Sequence, residues 1–165
     1  MKICTLCKIE LPLSAFSADY RRSDKLQSRC NKCRSSDNSE RKQRYKESGL
    51  CQWCASPNDR PNRASCSKCA ERSSANKLEL KLKTFAIYGG VICACCGETD
   101  HRFLTLDHIN NDGAEHRKQV YSNIYRWLKA KKYPEGFQVL CWNCNLGKYH
   151  NKGICPHQLT RVIQM

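Results

Sequence analysis

The apolar residues of this chain fall into short groups, and one group has the clear spacing of a helix. Within residues 70–88, Leu78, Leu82 and Phe85 are four and three positions apart, so they share one helical face. The glycine pair at 89–90 is expected to end this helix, because glycine readily leaves helical geometry. We therefore predict a helix over residues 70–88 whose apolar face is used for packing.

Further along, apolar runs alternate with polar turns in the manner of short strands and helices. "FLTLDHI" (103–109) and "GFQVLC" (136–141) each predict a strand, and "NLGKYHNKG" (145–153) predicts a short helix or turn. Between the two strands, residues 114–133 predict one helix, whose apolar face comprises Val120, Ile124, Trp127 and Leu128.

The segments before residue 70 carry little apolar periodicity. Residues 34–49, "RSSDNSERKQRYKESG", predict either a solvated basic helix or a linker. Residues 55–65, "ASPNDRPNRAS", contain two prolines and predict a loop.

Composition explains how such short elements can form a stable fold. Of the 165 residues, 14 are cysteine, whereas Leu, Ile, Val and Phe are sparse for a single core. Small modules with poor cores are usually held by disulfides or metals. The start, "MKICTLCKIELP", lacks the apolar run of a signal peptide, and no run is long enough to span a membrane. We therefore expect a cytoplasmic protein without a membrane partner, in which metal binding is favoured over disulfides.

Twelve cysteines form six Cys-x-x-Cys pairs, and this repetition indicates zinc. Two such pairs complete a tetrahedral shell of four thiolates, which suits Zn²⁺. Pairing in sequence order gives three structural zinc sites, with crossed pairings as the alternative. Redox-active dithiols normally occur as a single motif, so they are the weaker interpretation. The predicted zinc ligands are Cys4, Cys7, Cys30 and Cys33; Cys51, Cys54, Cys66 and Cys69; and Cys93, Cys96, Cys141 and Cys144.

Two cysteines lie outside these pairs. Cys95 could replace Cys93, but only Cys93 has the two-residue spacing to Cys96. Cys155 is expected to be a buried free thiol rather than a ligand.

The chain is therefore predicted to consist of consecutive small segments, with no repeat longer than the cysteine pairs. They are a first zinc module (1–33), a basic helix or linker (34–49), a second zinc module (50–69), a connecting helix (70–90), a third zinc-bearing domain (91–157) and a C-terminal tail (158–165).

The charge of every part of the chain is positive. The formal net charge is +14: residues 1–50 contain twelve basic and six acidic residues, residues 51–90 seven and three, and residues 91–165 ten and six. Such a surface attracts polyanions, of which nucleic acid is the commonest, so we expect a DNA partner, taken to be double-stranded.

The third zinc-bearing domain resembles a known family. Asp107-His108 at the end of a strand, a cysteine pair before it and "FQVLCWNCNLGK" after it are similar to the HNH nucleases of the ββα-metal (His-Me finger) type. Zinc-bearing members are common in bacteriophages and mobile elements. The resemblance covers about residues 85–157. It implies a small α+β fold held by zinc, with a C-terminal ββα-metal domain preceded by two small zinc modules, and a phage-infected bacterial cell as the setting.

The resemblance also implies a catalytic site. His108 is the expected general base, since a neutral histidine can take a proton near pH 7. Asp107 and Asn145 are the expected ligands of a catalytic Mg²⁺ or similar cation, Asn145 because the family binds its metal through the residue after the last paired cysteine. Two alternatives are that Asp107 only orients His108 and that Asn145 only caps the following helix. His150 is either a competing ligand or a phosphate contact. No small-molecule cofactor is expected.

One family position differs in this sequence. The middle Asn of the family stands five residues before the second cysteine pair, where this chain has Gly136. Asn110, Asn111 or Asn123 are possible replacements for it.

Basic residues near the expected site are candidate phosphate contacts. They are Lys148 and Lys152, together with Arg126 and the neighbours His116 and Arg117 on the predicted 114–133 helix. A solvated helix face explains the helical ones nearly as well.

The sequence thus predicts a DNA endonuclease that uses a histidine base and one divalent metal, with zinc modules that aid DNA recognition. One alternative is a non-catalytic multi-zinc protein that binds nucleic acid, and another is an adaptor whose zinc modules bind protein. A monomer would nick one strand, whereas a homodimer could cut both.

Overall fold

Several small cores, each containing cysteines, organise this chain. The computed structural model describes residues 1–120 and 123–158, and the chain divides into two compact units at residues 72 and 73. Over these described residues the fold is small and mixed, with helices, two two-stranded antiparallel sheets and clusters of cysteines that could bind zinc.

The first unit begins with a minimal hairpin. Strand β1 (Lys2–Ile3) pairs antiparallel with β2 (Glu10–Leu11), and a 3-10 turn (Leu13–Ala15) follows. Helix α1 (Asn31–Glu47) comes next. The buried core of this hairpin region consists of Cys4, Phe16 and Cys30. A core of this size is too small to support folding by apolar burial alone.

Helix α1 resolves the two interpretations of residues 34–49 in favour of a helix. None of its residues is buried, which agrees with the absence of an apolar face in the sequence. It ends shortly before Gly49, whose φ of +66° is easily adopted only by glycine.

Helix α2 (Ser67–Ile87) confirms the helix predicted from the apolar spacing, and it begins three residues earlier than expected. Phe85 and Thr84 on this helix are fully buried, whereas Leu78 is 40% exposed. The Gly90 N–H donates to the Phe85 carbonyl at 2.8 Å, so the glycine pair does close the helix.

The second unit contains a second hairpin. In chain order its elements are β3 (Leu104–His108), α3 (Gly113–Gln119), α4 (Ile124–Ala130), β4 (Phe137–Cys141) and α5 (Trp142–His150). Strands β3 and β4 pair antiparallel, with Leu104 opposite Cys141 and His108 opposite Phe137. Both predicted strands are therefore confirmed. The core joins Phe85, Leu104, Val139 and Leu140 to buried cysteines.

The single helix predicted over residues 114–133 is wrong. Val120 has an extended backbone (φ −113°, ψ 97°) and ends α3. Asn123 starts the next helix, because its side-chain oxygen accepts a hydrogen bond from the Tyr125 N–H at 3.1 Å. Residues 121 and 122 lie outside the described residues. The apolar residues of this segment therefore keep helical spacing even though a helix cap divides the segment into two helices.

Two further predictions concern membrane-spanning segments and the C-terminal tail. Within residues 1–120 and 123–158, no helix is long and apolar enough to cross a membrane. Apart from its first residue, the predicted tail at 158–165 lies outside the described residues.

The burial of Phe85 makes a testable prediction about stability. Phe85→Ala removes a fully buried ring and should destabilise the second unit by about 3–5 kcal/mol. The measurement is hydrogen exchange of the β3 and β4 amides in zinc-containing buffer, which reports local stability. Phe103→Ala is the matched control, because the Phe103 side chain is 55% exposed. Equal effects of the two substitutions would contradict this core assignment.

Candidate functional site

The twelve paired cysteines lie in three groups of four. The groups are Cys4, Cys7, Cys30 and Cys33; Cys51, Cys54, Cys66 and Cys69; and Cys93, Cys96, Cys141 and Cys144. Within each group the sulfur atoms are all within 4.8 Å of one another. The structure thus brings the cysteines together in sequence order and not in crossed combinations.

The geometry of these groups fits zinc. The Sγ atoms of Cys54 and Cys66 are 3.7 Å apart, and those of Cys96 and Cys141 are 3.6 Å apart. Four sulfurs at the usual Zn–S distance of about 2.3 Å form a tetrahedron with edges of about 3.8 Å. All fourteen cysteines are free, so the short distances do not arise from disulfides. Each group could therefore hold one zinc ion.

The three groups share one local turn geometry, a structural repeat that is not visible in the amino-acid sequence. The residue after each first cysteine pair has a positive φ: Lys8 at 60°, Ala55 at 59° and Gly97 at 84°. In each case its N–H donates to the carbonyl of the first cysteine of that pair, at 2.9, 2.9 and 3.0 Å. Only one of the three is glycine, so the amino-acid sequence did not show the repeat.

The second pair of each group lies at the start of a helix. Cys30 is the N-cap of α1 and Cys141 is the N-cap of α5, while Cys66 directly precedes α2. A zinc ion with four thiolates carries a net charge of −2. The N-terminus of a helix carries partial positive charge, so this placement stabilises a filled site.

Backbone N–H groups also favour the thiolate form of the first cysteine in each group. The Cys30 N–H donates to Cys4 Sγ at 3.2 Å, and this bond is the main reason that the pKa of Cys4 is lowered to about 6. Burial raises the pKa of Cys51 and Cys93, but backbone N–H donors outweigh it and lower these values to about 6 and about 7. Thiolates are the form that binds metal.

His108 lies at the end of β3 in an aromatic setting. Its Nε2 is 2.8 Å from Nδ1 of His116, and its ring contacts Phe137 with centroids 4.7 Å apart. Within the described residues, Nδ1 of His108 makes no hydrogen bond. Burial lowers the pKa of His108 below its ordinary value, although the nearby Asp112 carboxylate opposes this shift. The ring is therefore neutral near pH 7 and can accept a proton.

Helix α3 leaves space for the His108 ring. A Cβ atom at Gly113 would lie 3.0 Å from Nδ1 of His108, so glycine leaves room for the imidazole. His116 on the same helix packs its ring on Trp127 with centroids 4.3 Å apart. Its Nε2 is buried and has no hydrogen-bond partner among the described residues. The sequence indicates only a phosphate contact for His116, because nothing in its spacing connects it with His108.

Asp107 is buried beside Lys148. The Lys148 Nζ donates to Asp107 Oδ2 at 2.7 Å and to the carbonyls of His108 and Ile109 at 2.7 and 3.1 Å. Gln138 also donates to Oδ2, at 2.8 Å. The prediction that Lys148 contacts backbone phosphate does not agree with the structure. Lys148 is only 6% exposed, and its ammonium group donates its hydrogen bonds inside the protein.

The other predicted site residues differ in exposure. Asn145 is half-buried in the second turn of α5, and it does not cap that helix, because Cys141 does. His150, at the end of α5, is exposed and packs against Tyr149. The candidate phosphate contacts Lys152, Arg117 and Arg126 are exposed.

The candidates for the missing middle Asn have other surroundings. Asn123 caps α4, and its side chain is engaged there. Asn110 and Asn111 are exposed in the turn after β3, where Asn111 adopts a φ of 59° and its N–H donates to the His108 carbonyl at 3.1 Å. Asn111 therefore helps to hold the turn that follows His108.

Comparison of the chain with protein-family models, with curated proteins and with solved structures finds no significant match.

Removing one buried cysteine should remove one metal ion. Cys51→Ser is expected to lose one zinc ion relative to the wild-type chain and to unfold residues 50–66, because the buried core of that module consists only of Cys51, Cys66 and Cys69. Native mass spectrometry gives the ion count, and amide exchange gives the unfolding. Ala64→Ser, an exposed change in the same loop, should alter neither. An unchanged ion count in Cys51→Ser would contradict the assignment.

The buried pair of Lys148 and Asp107 yields a second prediction. Lys148→Met leaves a buried carboxylate without its cation and should destabilise the β3–β4 hairpin by about 3–5 kcal/mol at pH 7. Hydrogen exchange of the hairpin amides measures the effect. Lys152→Met, which changes an exposed lysine, is the control, and Lys148→Met combined with Asp107→Asn should recover part of the loss. A cost equal to that of the control would show that the pair is not structural.

Proposed function

We propose that this chain is a metal-dependent DNA endonuclease of the HNH type, whose base is His108. The observation that carries the proposal is the arrangement of β3, β4 and α5. The two strands form an antiparallel hairpin, and α5 begins directly after Cys141, the last residue of β4 and the N-cap of the helix. The third cysteine group brings this helix start together with Cys93 and Cys96. This order of two strands and a helix is the one that the family resemblance implies.

The hydrogen bond between the two histidines supports the role of His108. In the tautomer where His108 Nε2–H donates to His116, the Nδ1 lone pair of His108 is available to take a proton. Hydrolysis of a phosphodiester requires a water that loses a proton as it attacks phosphorus, and His108 Nδ1 accepts that proton in this proposal. His116, held by Trp127, then acts as a positioning residue for the His108 ring.

The oxygen donors of Asp107 and Asn145 are of the kind that suits a hard divalent cation such as Mg²⁺. Both hydrogen bonds to the Asp107 carboxylate go to Oδ2, so Oδ1 accepts none from the described residues. Asn145 on α5 offers an amide carbonyl, and oxygen donors of these two kinds are what Mg²⁺ prefers. When bound, such a cation would stabilise negative charge on the phosphate and on the leaving oxygen. Lys148 holds the other carboxylate oxygen and so fixes the orientation of Asp107.

The charge of the first unit supports a role in DNA binding. Helix α1 contains six basic and three acidic residues and has no buried residue. Lys42 on this helix lies over the ring of Trp53, whose side chain is 69% exposed. Exposed cations and aromatic rings bind phosphates and bases respectively. The zinc modules would thus hold DNA through this unit, while Lys152, Arg117 and Arg126 meet phosphates in the second unit.

A non-catalytic zinc protein that binds nucleic acid is the second candidate. The observation in its favour is the close pairing of Asp107 with Lys148, since an ammonium group next to the carboxylate lowers its affinity for a second cation. Both candidates predict DNA binding, and only cleavage separates them.

Conversion of supercoiled plasmid in the presence of Mg²⁺ tests the proposal. The wild-type chain should nick or linearise the plasmid, and His108→Ala should lower the rate by about 10²–10⁴-fold, the usual contribution of a general base. Asn145→Ala should raise the Mg²⁺ concentration needed for half-maximal rate. DNA affinity, measured by fluorescence anisotropy, should be unchanged in both variants.

His101→Ala is the matched control, because His101 lies outside the hairpin and, in the described part of the chain, its side chain pairs with Asp100 at 3.9 Å. It should cut at the wild-type rate. Cleavage by His108→Ala at that same rate would refute the base assignment. DNA binding without cleavage by the wild-type chain, on plasmid and on branched or nicked substrates, would favour the second candidate.

A further inference from the structure

A fourth group of metal-binding side chains lies beside the third cysteine group and shares one member with it. The sulfurs of Cys95, Cys144 and Cys155 and a ring nitrogen of His157 all lie within 4.8 Å of one another. The Nδ1 atom of His157 is 3.3 Å from Cys144 Sγ. Cys144 also belongs to the group formed with Cys93, Cys96 and Cys141.

The packing around this group is close. Cys95 and Cys155 are 3% and 2% exposed, and Cys144 is fully buried. Gly147 on α5 allows the segment that carries Cys155 and His157 to approach the helix. A Cβ atom at Gly147 would lie 3.0 Å from Pro156 Cδ and 3.9 Å from Cys155 Sγ. The thiols that are left over after the regular pairs are thus gathered around one point, and not scattered through the core.

We propose that this group binds a second ion, so that the third zinc site is a binuclear centre in which the Cys144 thiolate bridges two metals. One ion has Cys93, Cys96, Cys141 and Cys144 as ligands. The other has Cys95, Cys144, Cys155 and His157. A thiolate sulfur has several lone pairs and can therefore bind two ions at once, whereas a neutral imidazole nitrogen binds only one.

The charges of such a centre balance. One Zn²⁺ with four thiolates has a net charge of −2. A second Zn²⁺ adds two positive charges, and its binding releases one proton each from Cys95 and Cys155, so the net charge of the centre stays at −2. The buried core therefore takes up the second ion without gaining net charge, which would be costly there.

The second ion would have a structural consequence. It would tie residues 155–157 to α5 and to the "CACC" segment, whereas the first ion ties only that segment to α5. The end of the described chain would then be held by metal–ligand bonds. This inference does not depend on nuclease activity.

Counting metal ions tests the proposal directly. Native mass spectrometry of the full chain, purified with zinc under reducing conditions, should give four ions per chain. His157→Ala removes a ligand whose side chain is exposed, so it should leave the fold intact. It should weaken the fourth ion by at least the roughly tenfold that loss of a ligand's supporting hydrogen bond causes. Competition with a chromogenic chelator measures that change. His150→Ala, another exposed histidine, is the matched control and should keep all four ions.

The bridging Cys144 thiolate can be tested separately from the number of ions. After replacement of zinc by ¹¹³Cd, two of the four cadmium signals should show scalar coupling to each other through the shared sulfur. His157→Ala should shift or remove one of these two signals and leave the two signals from the first unit unchanged.

The contrary results are distinct. Three ions in the wild-type chain, or unaltered affinity for the fourth ion in His157→Ala, would overturn the second site. Four ions without cadmium–cadmium coupling would overturn the bridge. A disulfide between Cys95 and Cys155 in peptide maps of the zinc-loaded, non-reduced chain would also overturn the proposal, because it would consume two of the ligands.

Discussion

The grouping of cysteine side chains around common centres is the constraint on which the rest of this structure depends. In the second module the buried core consists of Cys51, Cys66 and Cys69 and of nothing else, and in the first module cysteines surround a single buried aromatic ring. Apolar burial on that scale does not offset the loss of conformational entropy. Metal–thiolate bonds are the interaction that can, and the three groups have the spacing that zinc requires.

The same constraint positions the candidate chemistry in the second unit. The cysteine group at the start of α5 fixes that helix against the hairpin, and Lys148, two turns into the helix, reaches the end of β3. Asp107 and His108 are therefore held at a strand end by contacts from α5 and α3. The Lys148–Asp107 pair has two consequences. It orders the carboxylate, which supports the nuclease. It also reduces the negative charge available to a cation, which supports the non-catalytic candidate.

Some features could be predicted from the local sequence, because they depend on residues that are close together along the chain. The two strands of the second hairpin and the α2 helix with its glycine stop follow from spacing alone. Spacing also predicted that the cysteine pairs associate, but the structure was needed to exclude crossed pairings. The segment 114–133 could not be read in this way, because an apolar period does not reveal that Asn123 caps a new helix. The repeated turn after each first cysteine pair could not be predicted either, because Lys8 and Ala55 adopt a conformation usually taken by glycine.

By itself, the sequence determined that the chain is basic, rich in paired cysteines and built from small modules. These properties depend on composition and on spacing within a few residues. Tertiary structure alone decided that His116 bonds to His108, that Lys148 is buried against Asp107, and that Cys155 lies beside Cys144. Most of these partners are brought together only when the hairpin, α3 and α5 pack. The sequence therefore could not predict the surroundings of the side chains that matter most for the proposed chemistry.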